Sequence, residues 1–240
     1  MIAMHMIDPE PAPLDDGPDD RTAPDFARAV GAAGWRRLAP DIRRRFTEKP
    51  GPHRPIRYVG IMQAVRCSGA GWLLAQACRV FGSPFALHRG SGVPVAITLR
   101  AKPDDAAIIW ERAYLYPNHP AAIVRSEKRM LAHGELLECV GGGFGMRLTV
   151  FEAEGALHFK SRGYFWRLGA WLVPLPALLT PGVAHVVHQD LGDGNFRFVM
   201  TIRHALLGTL FYQDGVFRQV EDGIRVLNKS SETAPSEDTD

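Results

Sequence analysis

Several things are scarce or missing in this 240-residue chain, and each absence excludes a class of protein. Cysteine is scarce: Cys67, Cys78 and Cys139 are odd in number, show no CxxC spacing and have no histidine at zinc-finger distance. That excludes a disulfide framework and a structural zinc site, and leaves buried free thiols as the expectation. A secretory leader is missing, because MIAMHMIDPEPAPLDDGPDD has no basic segment followed by an apolar one. The expected location is therefore cytoplasmic. Uninterrupted apolar runs are missing too. The longest candidate, GYFWRLGAWLVPLPALLTPG from Gly163 to Gly182, carries Arg167 and is cut by Pro174, Pro176 and Pro181. Those prolines would break the hydrogen-bond ladder that a membrane-spanning helix of roughly 20 residues requires.

Catalytic signatures are equally sparse. No H-E-x-x-H helix is present, and Ser68, Ser126 and Ser161 lack a G-x-S-x-G elbow. Gly141-Gly142-Gly143-Phe144-Gly145 is followed by the alternating run MRLTVFEA rather than by a helix, so it reads as a bulge or barrel corner and not as a dinucleotide loop. Among the histidines at 158, 185, 188 and 204, His185 and His188 are an odd number of residues apart and fall on opposite faces of one strand. No metal and no cofactor are expected.

The small net charge of +2 conceals a segregation. Residues 1–24 hold six acids and one base, and residues 228–240 hold four acids and one base. Both ends read as disordered acidic tails that bury too little apolar surface to offset their ordering entropy. The remaining body, residues 25–227, has 26 bases and 16 acids, a net charge of +10. The first reading of such a body is a solvated basic surface balanced by the tails; attraction to anionic surfaces comes second, lipid before nucleic acid, with an acidic partner as a further alternative. Single-strand binding needs aromatics interleaved with bases on one exposed face, whereas Phe144, Phe196 and Phe198 fall opposite the arginines.

What the chain does have is periodicity. DFARAVGAAGWRRLAPDIRRRF predicts helix from an Asp25 cap, divided at Pro40, with arginines 36, 37, 43, 44 and 45 near its end forming the densest basic patch. IRYVGIMQAVR is a strand candidate. GWLLAQACRVFGSP, apolar around most of its circumference, is a buried helix packed against or plugging a sheet. From Val93 the period becomes two. Phe144, Met146, Leu148 and Val150 share one face, as do Phe196, Phe198, Met200 and Ile202. These runs, separated by Pro, Asn, Asp and Gly turns, predict a mainly β (α+β) fold. It is an antiparallel meander over 93–221, curled into a barrel or half-barrel, lipocalin-like in broad architecture. A largely helical 25–82 packs against it, all within one domain, 25–227.

The opening LAPDIRR, the Trp110-x-Arg112 strand, GELLE at Gly134–Glu138, GALHF at Gly155, PLP at Pro174–Pro176 and the closing FRFVMTIRHALLGTLFYQDGVF resemble the bacterial domain of unknown function 4166. The resemblance spans roughly Phe26 to Val220 and rests on Gly, Pro and aromatic landmarks. It implies a fold, and no active site to carry over. That family also occurs appended to saccharopine-dehydrogenase-like oxidoreductases, which implies an oxidoreductase partner as one role.

Candidate ligand contacts follow from strand alternation. Trp110, Arg112 and Tyr114 share a face that lines a pocket with aromatic surface and one cation. Glu138 and Arg147 are placed as an interior acid and base, since a buried Arg–carboxylate pair implies a ligand head group or a wet cavity. Glu111 is a further acid beside Trp110. Within Gly163–Gly182, a strand ends near Phe165 or Trp166, a turn follows at Leu168-Gly169, and WLVPLP is extended before a helical turn in ALL. Trp171, Leu172, Val173, Leu175 and Leu178 form either a lid over the barrel mouth or an exposed interfacial patch. The leading expectation is a noncatalytic module that binds a lipid-like small molecule, peripheral to the inner membrane surface. The alternatives are an auxiliary enzyme acting on a lipid-like substrate and a structural domain with a filled barrel.

Overall fold

The computed structural model describes residues 23–51, 53–80, 88–103, 106–169 and 171–220. The acidic stretches before residue 23 and after residue 220 lie outside the described residues, although Pro24, expected in the tail, is fully buried.

Three short helices open the fold: α1 (Phe26–Val30), α2 (Ala32–Arg37) and α3 (Pro40–Thr47). Asp25 caps the first by accepting from the Arg28 backbone N–H at 3.0 Å. The division expected at Pro40 is present, and a second one precedes it. Gly31, at φ 81°, separates α1 from α2, and Leu38 turns extended before Pro40 takes the first position of α3, where a missing N–H costs nothing. The strand expected in IRYVGIMQAVR is β1 (Ile56–Cys67), which belongs to the sheet, and α4 (Gly69–Val80) follows it.

The remaining strands are β2 (Val93–Ala101), β3 (Ile108–Tyr114), β4 (Ala122–Met130), β5 (Leu136–Cys139), β6 (Phe144–Ala153), β7 (Ala156–Leu168), β8 (Trp171–Pro174), β9 (Val183–Gly192), β10 (Asn195–His204) and β11 (Gly208–Val220). All pairings are antiparallel. The meander runs on through the β6–β7 hairpin and closes once, where β1 pairs with β11. Ten strands thus form a closed barrel, and β8 adds to the outer end of β7, outside the ring. Closure leaves the ring no unpaired edge.

Period-two alternation puts Phe196, Phe198 and Ile202 in the buried interior while Arg203 is exposed. Closing so small a ring requires sharp coiling, and glycines permit it. A Cβ at Gly60 would overlap the Val216 carbonyl oxygen and the Phe217 ring, and one at Gly145 would overlap the Phe165 ring.

The two barrel ends differ. At one end α3 packs against β9, and Phe46 meets Phe26, Phe159 and His188 edge to face or tilted, at 5.1–5.7 Å. The Ala39 N–H donates to the Gly155 carbonyl at 3.2 Å, pinning the helices over the β6–β7 turn. The other end collects the end of β1 with α4, the β10–β11 hairpin, the start of β9, and the 3₁₀ turn Ala177–Leu179 with β8. Pairing register places them there: Cys67 lies opposite Phe211, His204 opposite Gly208, and Arg203 opposite Val183. There α4 packs Ala75 against Ala184, Ile202 and Leu210.

Candidate functional site

The barrel is not filled. A cavity of about 320 Å³ lies between the helix-plugged end and the α4 end, lined mainly by apolar side chains such as Phe159, Phe198, Met200 and Val186. At the plugged end the Arg45 guanidinium sits 3.6 Å from the Phe196 ring centroid, and its Nη2 is 3.5 Å from His188 Nδ1. Burial brings Arg45 down to a pKa of about 10. The basic patch read from the sequence is therefore not wholly a surface feature, since Arg45 is turned inward.

Polar groups gather on β3, β4 and β5. Alternation sends Trp110, Arg112 and Tyr114 inward from β3, and Ser126 and Lys128 inward from β4. Lys128 stands directly opposite Glu138 across the β4–β5 ladder. Its Nζ is 2.8 Å from Glu138 Oε2, with side chains only 7% and 12% exposed. Ser126 Oγ donates to Glu138 Oε1 at 2.7 Å. The Arg112 guanidinium reaches Ser126 Oγ at 3.4 Å and lies 4.0 Å from Glu138 Oε1. Lys128 Nζ also faces the Trp110 ring at 4.9 Å, a cation–π contact.

Electrostatics follow from this packing. Burial alone would push the Glu138 carboxyl up, but Lys128, Arg112 and the hydrogen bonds from Lys128 and Ser126 outweigh it and hold it below the ordinary carboxylate range. Burial lowers the Lys128 ammonium, against the opposing pull of Glu138. His188 is pushed well below 6.5 by burial and by the charges of Arg45, Lys128 and Arg112, so its imidazole is neutral at pH 7. Tyr164, also on the cavity, is raised to about 12 by burial.

Two donors on the cavity wall lack adequate partners. Trp110 Nε1 is buried with no hydrogen-bond partner. Arg112 spends its fork of N–H donors on one long bond to Ser126 and a marginal approach to Glu138. Both side chains line the cavity. With Lys128, the cluster holds two cations and one carboxylate.

Of the residues singled out from the sequence, Trp110, Arg112, Tyr114 and Glu138 converge on the cavity. Arg147 does not. It lies opposite Leu137 on the outer face and pairs with Glu135, which Arg162 also engages, because alternation that sends Met146 inward must send Arg147 outward. Glu111 is likewise outside, 2.6 Å from Arg125 Nε. Tyr114 donates to Gln213 Oε1 at 3.0 Å, which holds its ring against the wall.

The proline-rich stretch divides by residue. Leu172 is buried in a small outer cluster with Leu137 and Phe165, Leu175 lines the cavity, and Val173 is half-buried. Trp171 and Leu178 are exposed. Leu179, not singled out from the sequence, both lines the cavity and is 71% exposed, which places the mouth beside it. Lys128 is not singled out by the sequence either, and Ser126 and His188, weighed there only as a nucleophile and a metal ligand, also line the cavity. Lys128 shares a parity with Ser126 and Met130 in AIVRSEKRM, and that parity was the available signal.

His185 and His188 do fall on opposite faces. His188 looks inward, while His185 Nε2 lies 3.0 Å from His158 Nδ1, with Phe151 stacked against His158. Among the described residues no three His, Cys, Asp or Glu side chains are grouped to hold a metal ion. Nor is any helix among them long and apolar enough to cross a membrane.

The family described as a domain of unknown function, DUF4166, matches residues 38–217, most of the barrel and part of its helical plug. The chain belongs to the DUF4166 family. Comparison with curated proteins and with solved structures returned no match. The family match runs from Leu38, ahead of α3, to Phe217 in β11, so the cavity-lining strands all fall inside the DUF4166 domain.

Proposed function

We propose that this DUF4166 domain is a noncatalytic binding module for an apolar or amphipathic small molecule, whose anionic end is held by Arg112 and Lys128. The observation that carries the reading is the pairing of an apolar cavity of about 320 Å³ with under-partnered donors at its polar wall. That volume is at the lower end of the roughly 300–1,000 Å³ common for small-molecule sites, which are apolar with a few placed polar groups. Glu138 neutralises one of the two cations and leaves a positive remainder for a carboxylate or phosphate. A guanidinium suits either, because its N–H fork matches two oxygens at once. The lipocalin-like comparison extends to architecture only: a β-barrel enclosing one small ligand.

The auxiliary-enzyme reading draws on the same convergence of Arg112 and Glu138. A Glu138 carboxylate held ionised by Lys128 and Ser126 is a poor proton acceptor, and this favours binding over catalysis.

The test is native mass spectrometry and solvent extraction of the purified full chain, together with uptake of a fluorescent fatty acid. A bound amphiphile, or saturable uptake lost in Met200→Trp, which fills the cavity, supports the reading. Arg112→Met should weaken a carboxylate probe by at least about tenfold and leave the matching alcohol nearly unchanged. No co-purified amphiphile together with no uptake would sink it.

A further inference from the structure

The mouth end of the barrel has a composition unlike the rest of the surface. Large apolar side chains stand exposed on three separate elements: Trp72 and Leu73 on α4, Leu178 and Leu179 on the 3₁₀ turn, and Leu206 and Leu207 on the β10–β11 hairpin. Leu206 is the most exposed of them, at 76%. A fourth element, the β7–β8 hairpin, extends beyond the start of β6 and carries Leu168 and Trp171, the latter 51% exposed. By contrast, the exposed large hydrophobic side chains described toward the plugged end are Leu191 in the β9–β10 hairpin and Val59 and Ile61 on the outer face of β1.

Charge is segregated along the same axis. The segments that build the mouth end, residues 66–76, 88–93, 115–123, 139–146, 163–169, 171–184 and 203–213, contain no Asp or Glu. They do contain Arg66, Arg89, Arg167 and Arg203, all exposed. At the plugged end acids and bases alternate, with Asp41, Glu48, Glu152, Asp190 and Asp193 among the arginines.

Scattered surface leucines need no explanation, but an apolar rim on four elements around a cavity mouth is a different matter. An exposed Trp and Leu ring, ringed in turn by arginine with no carboxylate to repel phosphate, matches the interfacial region of an anionic bilayer. There apolar side chains enter the acyl boundary and each nearby cation adds attraction. The cavity also opens within the rim, beside Leu179, so a docked barrel would face the lipid with its mouth.

We infer that the α4 end of the barrel is a docking surface for anionic lipid bilayers, formed jointly by α4, the β7–β8 and β10–β11 hairpins and the Ala177–Leu179 turn. It stands independently of what the cavity holds.

Co-sedimentation of the full chain with phosphatidylcholine vesicles, with and without about one-third phosphatidylglycerol, tests it. Binding should require phosphatidylglycerol, fall at high salt and shift tryptophan emission to the blue. Leu178→Ser/Leu179→Ser and Leu206→Ser/Leu207→Ser should each weaken partition roughly tenfold or more, with Arg66→Gln/Arg203→Gln acting on the phosphatidylglycerol-dependent part. Leu191→Ser should change nothing. Because every substituted side chain is exposed, circular dichroism should show native folds. Met200→Trp should keep vesicle binding, which separates this surface from the cavity proposal. Absence of binding to anionic vesicles, binding indifferent to the rim variants, or rim variants that split a dimer in sedimentation velocity without any vesicle binding would each overturn the inference.

Discussion

Lys128 and Glu138 form an ion pair that the barrel holds almost away from water, and removing one partner should be far worse than removing both. The pair is 2.8 Å apart with side chains 7% and 12% exposed. Lys128→Met leaves the Glu138 carboxylate with Arg112 at 4.0 Å and the Ser126 hydroxyl at 2.7 Å, neither of which replaces a direct ammonium contact. Glu138→Gln leaves Lys128 beside Arg112 with no counter-charge. Stranding a buried charge in this way costs about 3–5 kcal/mol, whereas replacing a whole buried pair with neutral groups of similar size is often near neutral. Partial relief through loss of the Lys128 proton, whose pKa burial already lowers, puts Glu138→Gln at the lower end of that range. The double variant Lys128→Met/Glu138→Gln should therefore lie at least about 2 kcal/mol above the sum of the singles. Urea unfolding of all four proteins, followed by intrinsic fluorescence, measures this directly. Single-variant losses that simply add would mean that the two side chains are solvated independently, and would refute a sealed polar wall in the cavity.

Two further outcomes follow. His188 is neutral in the fold but protonates near 6.5 once unfolded, so the unfolded chain binds more protons and stability falls as pH drops below that value, by about 1.4 kcal/mol per pH unit. His188→Phe should flatten this slope between about pH 6.5 and 5 in pH-dependent urea titrations, and an unchanged slope would show that His188 is solvated. Gly60→Ala should cost about 2 kcal/mol or more, because its Cβ would overlap the Val216 carbonyl and the Phe217 ring, and wild-type stability for that variant would contradict the tight coiling of β1 on β11.

Much of the fold was legible because strand alternation is a local property. Phe196-x-Phe198-x-Met200-x-Ile202 and Trp110-x-Arg112-x-Tyr114 declared their inward faces, and the barrel uses both. Pro174, Pro176 and Pro181 ruled out a spanning helix, and that region folds as strand, hairpin, strand and 3₁₀ turn. Arg147, expected inside, lies outside: its neighbour Met146 belongs to the apolar face, so strand parity sends Arg147 outward to Glu135. The true partner of Glu138, Lys128, lies ten residues upstream in a strand whose mixed letters hide its register. Arg45 was read as surface charge because nothing in RRRF shows that α3 turns one of three arginines onto Phe196.

The sequence by itself determined the strands, their faces, the helix breaks and the family, since each depends on residues within a few positions of one another. The tertiary structure alone decided that the meander closes β1 onto β11, that the closed ring is hollow, and that Lys128, Glu138 and Arg112 meet at its wall. It also decided that seven acid-free stretches, distant in sequence, gather at one end. Pairing partners separated by a hundred residues or more, such as β1 and β11, are chosen by sheet twist and closure of the whole ring, and no local pattern encodes that choice.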